Sequence, residues 1–359
     1  KMIRTRHILL ILILAVPTQH AFADPTVRGR RTFAEVAERS AALPSLSSYS
    51  VTTADVIWLD SGRNRTIPLR IYCPSDRSER FPVVVFSTGL GRSREDCAYL
   101  GRHWASCGYV AVHVQHKGSD EQARQAALRP KKGLQRAFYD PENIRNRPLD
   151  IIFVLDRLEK LSKEDAYVAE RLNLSRIGVA GHDFGAQTVL ALAGQVLPGY
   201  VTIADPRVKA VVAMSSPVPL GQVPLDTAYA NISRPCLHIT GTADNSIVAT
   251  TTAPQRRLPF DLTQGADQYL ITFFGADHLV YSGHVRASNG AFDAMFQRRI
   301  AECSAVFWDA YLKDNLAARQ WLADQGLSDY LKSVARVEKK LPSVQKTAEA
   351  PLPEAIIAR

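Results

Sequence analysis

Residues able to do chemistry gather at Gly181-His182-Asp183-Phe184-Gly185, at Gly241-Thr242-Ala243-Asp244-Asn245 and at Gly275-Ala276-Asp277-His278. The first has the spacing of a nucleophile elbow, a turn so tight that small residues must flank its centre while the central side chain is pushed out above a sheet. Asp183 is that centre. An acid and then a histidine are expected downstream, in that chain order, and Asp244 and His278 supply them. Taken singly, Asp244 also reads as a turn residue capping its own loop and His278 as a structural loop histidine; their joint order after Asp183 favours a catalytic set. Thr88-Gly89-Leu90-Gly91 follows an apolar run, where a backbone amide can stabilise a developing oxyanion. The N–H groups of Leu90 and Phe184 are therefore the expected oxyanion hole, with a plain glycine-rich turn as the alternative.

These residues need strands to carry them. Pro82-Val83-Val84-Val85-Phe86 is continuously apolar, as a strand buried on both faces of a parallel sheet must be. Helical periodicity follows over Arg94–Ser106 and a further strand over Tyr109–Val114, completing a β-α-β unit. Pro148 suits a first helical turn leading into Asp150–Leu161. The run Arg176–Ala180 leads through the elbow into an apolar helix over Ala186–Gly194. Strands are expected at Val208–Met214, Cys236–Thr240 and Tyr269–Phe274, and a closing helix at Phe292–Leu312. Ahead of them, Val51–Leu59 and Ile67–Tyr72 flank a turn-rich stretch and predict an antiparallel hairpin. The fold class is thus α/β, a doubly wound, mainly parallel sheet whose strand ends carry Asp183, Asp244 and His278.

The chain has 359 residues, 46% hydrophobic and 22% charged, which suits a globular protein and excludes collagen, coiled-coil and low-complexity classes. Residues 1–23 read as a signal peptide: a basic start, an apolar run over Ile8–Val16 and Ala21-Phe22-Ala23 before Asp24. Export to the periplasm or the extracellular space is expected, and nothing later is apolar for long enough to span a bilayer. The folded domain is placed at 24–333 and a loosely ordered tail at 334–359, rich in Lys, Glu, Ala and Pro.

The formal net charge is +9, and much of the excess sits in 117–147, where eight basic residues face four acidic ones. This lid insert reads either as a solvated loop with a few arginines packed on neighbours or as a basic rim attracting an anionic small-molecule substrate. No aromatic-studded basic sheet accompanies it, so nucleic acid is not an expected partner. The five cysteines form no CxxC pair, and His113 and His116 are spaced to opposite strand faces, so no metal site is expected.

Several separated segments also carry a resemblance: Pro82–Ser87, Leu100–Ser106, Gly108-Tyr109-Val110, His116-Lys117-Gly118-Ser119-Asp120, Arg147-Pro148-Leu149-Asp150, the elbow, and Gly275–His278. In these the chain resembles the α/β-hydrolase superfamily, and within it the predicted dienelactone hydrolases similar to platelet-activating-factor acetylhydrolase. The resemblance implies an α/β-hydrolase fold, cleavage of carboxylic esters or lactones by a serine, and no cofactor. Here the family's elbow serine is Asp183, and many relatives' His-Gly before the oxyanion loop is Thr88-Gly89. The elbow is more similar to the Gly-His-Asp of epoxide hydrolases and haloalkane dehalogenases.

The aspartate changes what can react. A carboxylate, with a pKa near ~4, is a far better leaving group than an alkoxide, so an ester carbonyl attacked by Asp183 would expel Asp183 again. At saturated carbon Asp183 can instead open an epoxide or displace a halide, leaving an alkyl-enzyme ester for His278-activated water. Phe184 has no side-chain N–H to hold a halide, and Tyr139 is a candidate acid for an epoxide oxygen, or simply a lid-packing ring. Two other readings stand beside this one: ester or lactone hydrolysis, with His278 activating water directly or Asp183 serving as a base, and a non-catalytic binding protein on a hydrolase scaffold.

Overall fold

The expected strands form, and one further strand joins them, in the computed structural model of the protein. It describes residues 43–44, 48–76, 79–218, 223–285 and 290–342, all within the second of two compact units, Ser40–Arg359. The predicted leader 1–23 and the end of the predicted tail, 343–359, lie outside the described residues. The strands are β1 Val51–Asp60, β2 Arg65–Pro74, β3 Phe81–Ser87, β4 Val110–Val114, β5 Leu172–His182, β6 Val208–Met214, β7 Cys236–Ala243, β8 Gln268–Asp277 and β9 Ala335–Lys340. They make one sheet in the order β1-β2-β4-β3-β5-β6-β7-β8-β9. The span from β4 to β8 is parallel, while the marginal pairs β1–β2, β2–β4 and β8–β9 are antiparallel.

Burial on both faces explains the apolar runs. Val84 and Phe86 of β3 enter one core with the helices Ala98–Ser106 and Gly290–Leu312. Val83 and Val85 enter the other, with the helices Pro141–Glu164 and Phe184–Ala193. Successive side chains point to opposite faces, so a strand between two helical layers has no face left for polar residues. The strand order reverses around β3: β4 lies on one side of it and β5 on the other. Loops leaving the carboxyl ends of β3 and β5 therefore diverge and open a crevice, the usual place for a site in such a sheet.

Three sequence expectations need correction. Residues 335–340, assigned to a loose tail, pair with β8 as an edge strand. The helix expected to begin at Pro148 begins at Pro141, with the Asp140 carboxylate accepting from the Glu142 amide as its cap and Pro148 inside the helix. Two prolines competed for one first-turn role, and the capped one holds it. The insert 117–147 is mostly helical, with helices at Glu121–Ala126 and Pro130–Tyr139, and its last residues belong to the helix Pro141–Glu164. All five cysteines carry free thiols.

Four of the described histidines, His113, His116, His182 and His238, are almost fully buried in or beside this sheet. His113 gives one ring nitrogen to the Asp96 carbonyl and His238 one to Gln268, and each leaves its other nitrogen buried without a hydrogen-bond partner among the described residues. Burial holds His113 down to about 3, His238 and His116 to about 4, and His182 well below the ordinary imidazole value. These rings stay neutral in the fold but take up protons below about pH 6.5 in the unfolded chain. Below that pH the unfolded state binds more protons, so the histidines' contribution is complete above about pH 6.5 and is lost as pH falls towards 4. Denaturant midpoints should show at least about 2 kcal/mol lost between pH 7 and pH 5; an unchanged midpoint over that range would contradict the assignment.

Candidate active site

The elbow forms because two glycines leave room for backbone. A Cβ on Gly181 would lie 2.2 Å from the Gly185 carbonyl oxygen, and one on Gly185 would lie 2.0 Å from the Ser87 carbonyl oxygen. Asp183 between them has φ 55° and ψ −119°, a sparsely populated conformation costing about 1–3 kcal/mol for a residue with a side chain. The surroundings hold it there. Its amide donates to the Met214 carbonyl at 3.0 Å and its carbonyl accepts from the Ala186 amide at 2.9 Å, the start of the helix Phe184–Ala193.

Asp183, Asp244 and His278, predicted from chain order, stand together. Asp244 follows β7 and His278 follows β8, and His278 Nδ1 lies 3.0 Å from Asp244 Oδ1. On its other side His278 Nε2 faces Asp183 Oδ1 at 3.7 Å, beyond hydrogen-bonding distance. The remaining Asp183 oxygen, Oδ2, accepts from the Leu90 amide at 3.3 Å. Leu90 thus presents its N–H where the oxyanion hole was expected. Phe184 opens its helix, so its amide belongs to the first turn, which no helical carbonyl claims.

Asp244 is fully buried and held by donors. Thr240 Oγ1 donates to its Oδ2 at 2.9 Å and Ser215 Oγ to its Oδ1 at 2.8 Å. Ser215 also lies 2.9 Å from His278 Nδ1; its hydroxyl proton goes to Asp244, so its oxygen can accept from the imidazole N–H. The buried Arg256 donates to the carbonyls of Asp244 at 3.2 Å and Ser215 at 2.6 Å. Ser215, Thr240 and Arg256 were not predicted. Ser215 directly follows β6 and could have been found by the same strand-end rule that located the others, whereas Arg256 lies in a 3-10 turn with no pattern to mark it.

A pocket of about 350 Å³ opens over Asp183 and His278, with Leu90, Leu134 and Val248 among its apolar lining. Its polar lining includes Arg92, Arg124 and His284. His182, the residue before the nucleophile position, is also in the wall, its ring 5.0 Å from that of His278 and tilted by 37°. Of the basic insert, Arg124 reaches the pocket, Arg129, Lys131, Lys132 and Arg136 are exposed, and Arg147 is buried. Tyr139 is not brought to the reaction centre: it is not among the pocket-lining residues, and its ring packs against Phe138, which in turn lies 5.1 Å from Phe184. The lid-packing reading of Tyr139 fits this placement.

A methyl group has nowhere to go at the elbow. Replacing Gly185 by Ala should cost roughly 2–4 kcal/mol, seen as a lowered denaturant midpoint. A Gly185→Ala protein as stable as the parent would contradict the close approach of Gly185 to the Ser87 carbonyl.

Comparison with known protein families adds an independent observation. The family model described as platelet-activating factor acetylhydrolase, isoform II, matches residues 43–136. That stretch holds β1 to β4, the Leu90 loop and most of the insert, and stops before the elbow. The chain is a hydrolase of the α/β-hydrolase type, similar over residues 43–136 to that acetylhydrolase family.

Proposed function

We propose that this protein hydrolyses a small alkyl electrophile, an epoxide or an alkyl halide, through a covalent ester on Asp183. The observation that carries this reading is the division of labour between the two Asp183 oxygens, Oδ2 on the Leu90 amide and Oδ1 towards His278. Oδ1 attacks a saturated carbon, forming a C–O bond while the leaving group departs with the electron pair. Water then attacks the Asp183 carbonyl carbon and gives a proton to His278 Nε2, which Asp244 orients through Nδ1. The negative charge falls on Oδ2, already at the Leu90 amide, with the Phe184 amide as second donor. Collapse expels the alkoxide, which takes the proton back from His278. An alcohol or a diol leaves.

The departing halide or alkoxide, or an anionic substituent on the substrate, needs positive surroundings, and Arg92 and Arg124 line the same pocket. With Tyr139 outside the pocket lining, His284 is the better placed proton donor for an epoxide oxygen. The leader read at residues 1–23 makes this an exported activity; the mass of the protein recovered from outside the cytoplasm should begin at Asp24, and an uncleaved chain would count against export.

A second reading is favoured by the family match over 43–136, ester or lactone hydrolysis with His278 activating water directly. The two part company in one experiment. Replacing His278 by Gln removes the base for the second step only, so exposure to a panel of epoxides, alkyl halides, esters and lactones should leave a mass increment mapping to Asp183. Ester turnover by the unaltered protein, with no adduct on His278→Gln, would replace the first reading with the second.

A further inference from the structure

A second Ser-His-Asp array lies behind the site. Ser87 Oγ is 2.9 Å from His116 Nε2, and His116 Nδ1 is 3.0 Å from Asp150 Oδ2. All three residues have zero exposure, so this array cannot touch a substrate. Asp150 is further held by Arg63 at 2.8 Å and Arg65 at 3.0 Å. The far end of the chain is Arg147, itself 1% exposed, whose Nη2 donates to Ser87 Oγ at 3.3 Å.

The proton directions follow from chemistry. A guanidinium only donates, so Ser87 accepts from Arg147 and passes its own hydroxyl proton to His116 Nε2. His116 then carries its proton on Nδ1 and donates to Asp150. Burial keeps this imidazole neutral, at about 4, which the one-way chain requires. Every hydrogen bond from Arg147 to Asp150 points the same way, and such a satisfied buried network is rigid.

Arg147 is where the network meets the site. It donates through Nη2 to the Thr88 carbonyl, in the peptide just before Gly89-Leu90, and through Nη1 to Ser119 Oγ at 2.8 Å. Its Nε donates to Thr188 Oγ1 at 3.0 Å, and Thr188 in turn donates to the Phe184 carbonyl at 2.8 Å. The guanidinium also lies 4.5 Å over the Phe184 ring. One side chain thus grips both segments that supply the oxyanion amides, one on each side of Asp183.

We infer that Arg147, anchored through Ser87 and His116 to Asp150, is the positioning residue that holds the Leu90 and Phe184 amides at the spacing an oxyanion needs. The inference rests on the proposed alkyl-enzyme route for its kinetic signature. Displacement at carbon develops no charge on Oδ2, while water attack on the ester does, so loosening these amides should slow the second step selectively.

The test uses Arg147→Lys and, in case that buried change unfolds the protein, Ser87→Ala, each with His278 intact. Rapid-quench intact mass, with the compound that labels His278→Gln, reads adduct formation and decay separately. Expected is a decay slowed by about 100-fold or more, the usual cost of losing an oxyanion donor, with formation changed less than about tenfold, so that adduct accumulates. Equal loss in both steps, or no loss in either, would overturn the inference. Hydrogen exchange gives a readout that needs no substrate: in Ser87→Ala it should rise over 88–91 and 184–188 and stay unchanged in β6 and β7. Should His278→Gln take no label from any compound, the alkyl-enzyme route fails by itself, and exchange alone decides for or against Arg147; unaltered exchange in both segments would overturn its role.

Discussion

The rest of the structure depends on a passage too narrow for a Cβ. Gly181 faces the Gly185 carbonyl and Gly185 faces the Ser87 carbonyl, so β3, β5 and the helix after β5 meet backbone to backbone. That contact turns the chain through Asp183 at positive φ and lifts its carboxylate into the crevice beside the loop from β3. It also sets the distance from Asp183 to the Leu90 amide. Strain of about 1–3 kcal/mol is affordable there because the same contact sits between two fully buried core layers.

On the proposed route, given that geometry, the identity of one residue decides the chemistry. A serine at position 183 would offer one oxygen, leaving the Leu90 amide to a substrate carbonyl. An aspartate offers two, and its second oxygen occupies the amide's position from the start. On the proposed route the oxyanion hole serves a carbonyl that belongs to the enzyme. The proposed route would keep the Leu90 loop, within the matched residues 43–136, while moving the electrophile from a substrate carbonyl to a saturated carbon. Leu90 is common ground for both chemistries, and Asp183 is not.

What the sequence disclosed was whatever leaves a one-dimensional trace. β3 shows as a continuous apolar run and β5 and β6 as shorter ones at their carboxyl ends, the elbow shows because its glycines are obligatory, and Asp244 and His278 show because strand ends are countable. Interactions formed in three dimensions left weaker traces. Arg147 reads as one more charge in a basic insert, yet it is buried between two loops that only the fold brings together. Ala335–Lys340 has an edge strand's alternation hidden under lysines and glutamate, the residues that suit an exposed sheet edge. Tyr139 has the right chemistry for an acid, and only packing shows that Phe138 stands between it and Phe184.

The central claim is that the oxygen delivered to the product comes first from Asp183. A single turnover with enzyme in excess, run in water enriched in heavy oxygen with the epoxide or halide that labels His278→Gln, reads this directly. The account predicts a first-turnover alcohol carrying ordinary oxygen, with the heavy isotope recovered in the Asp183 carboxylate. Heavy oxygen in the first-turnover product, with none in Asp183, would mean that water attacks the substrate itself and that Asp183 is not the nucleophile.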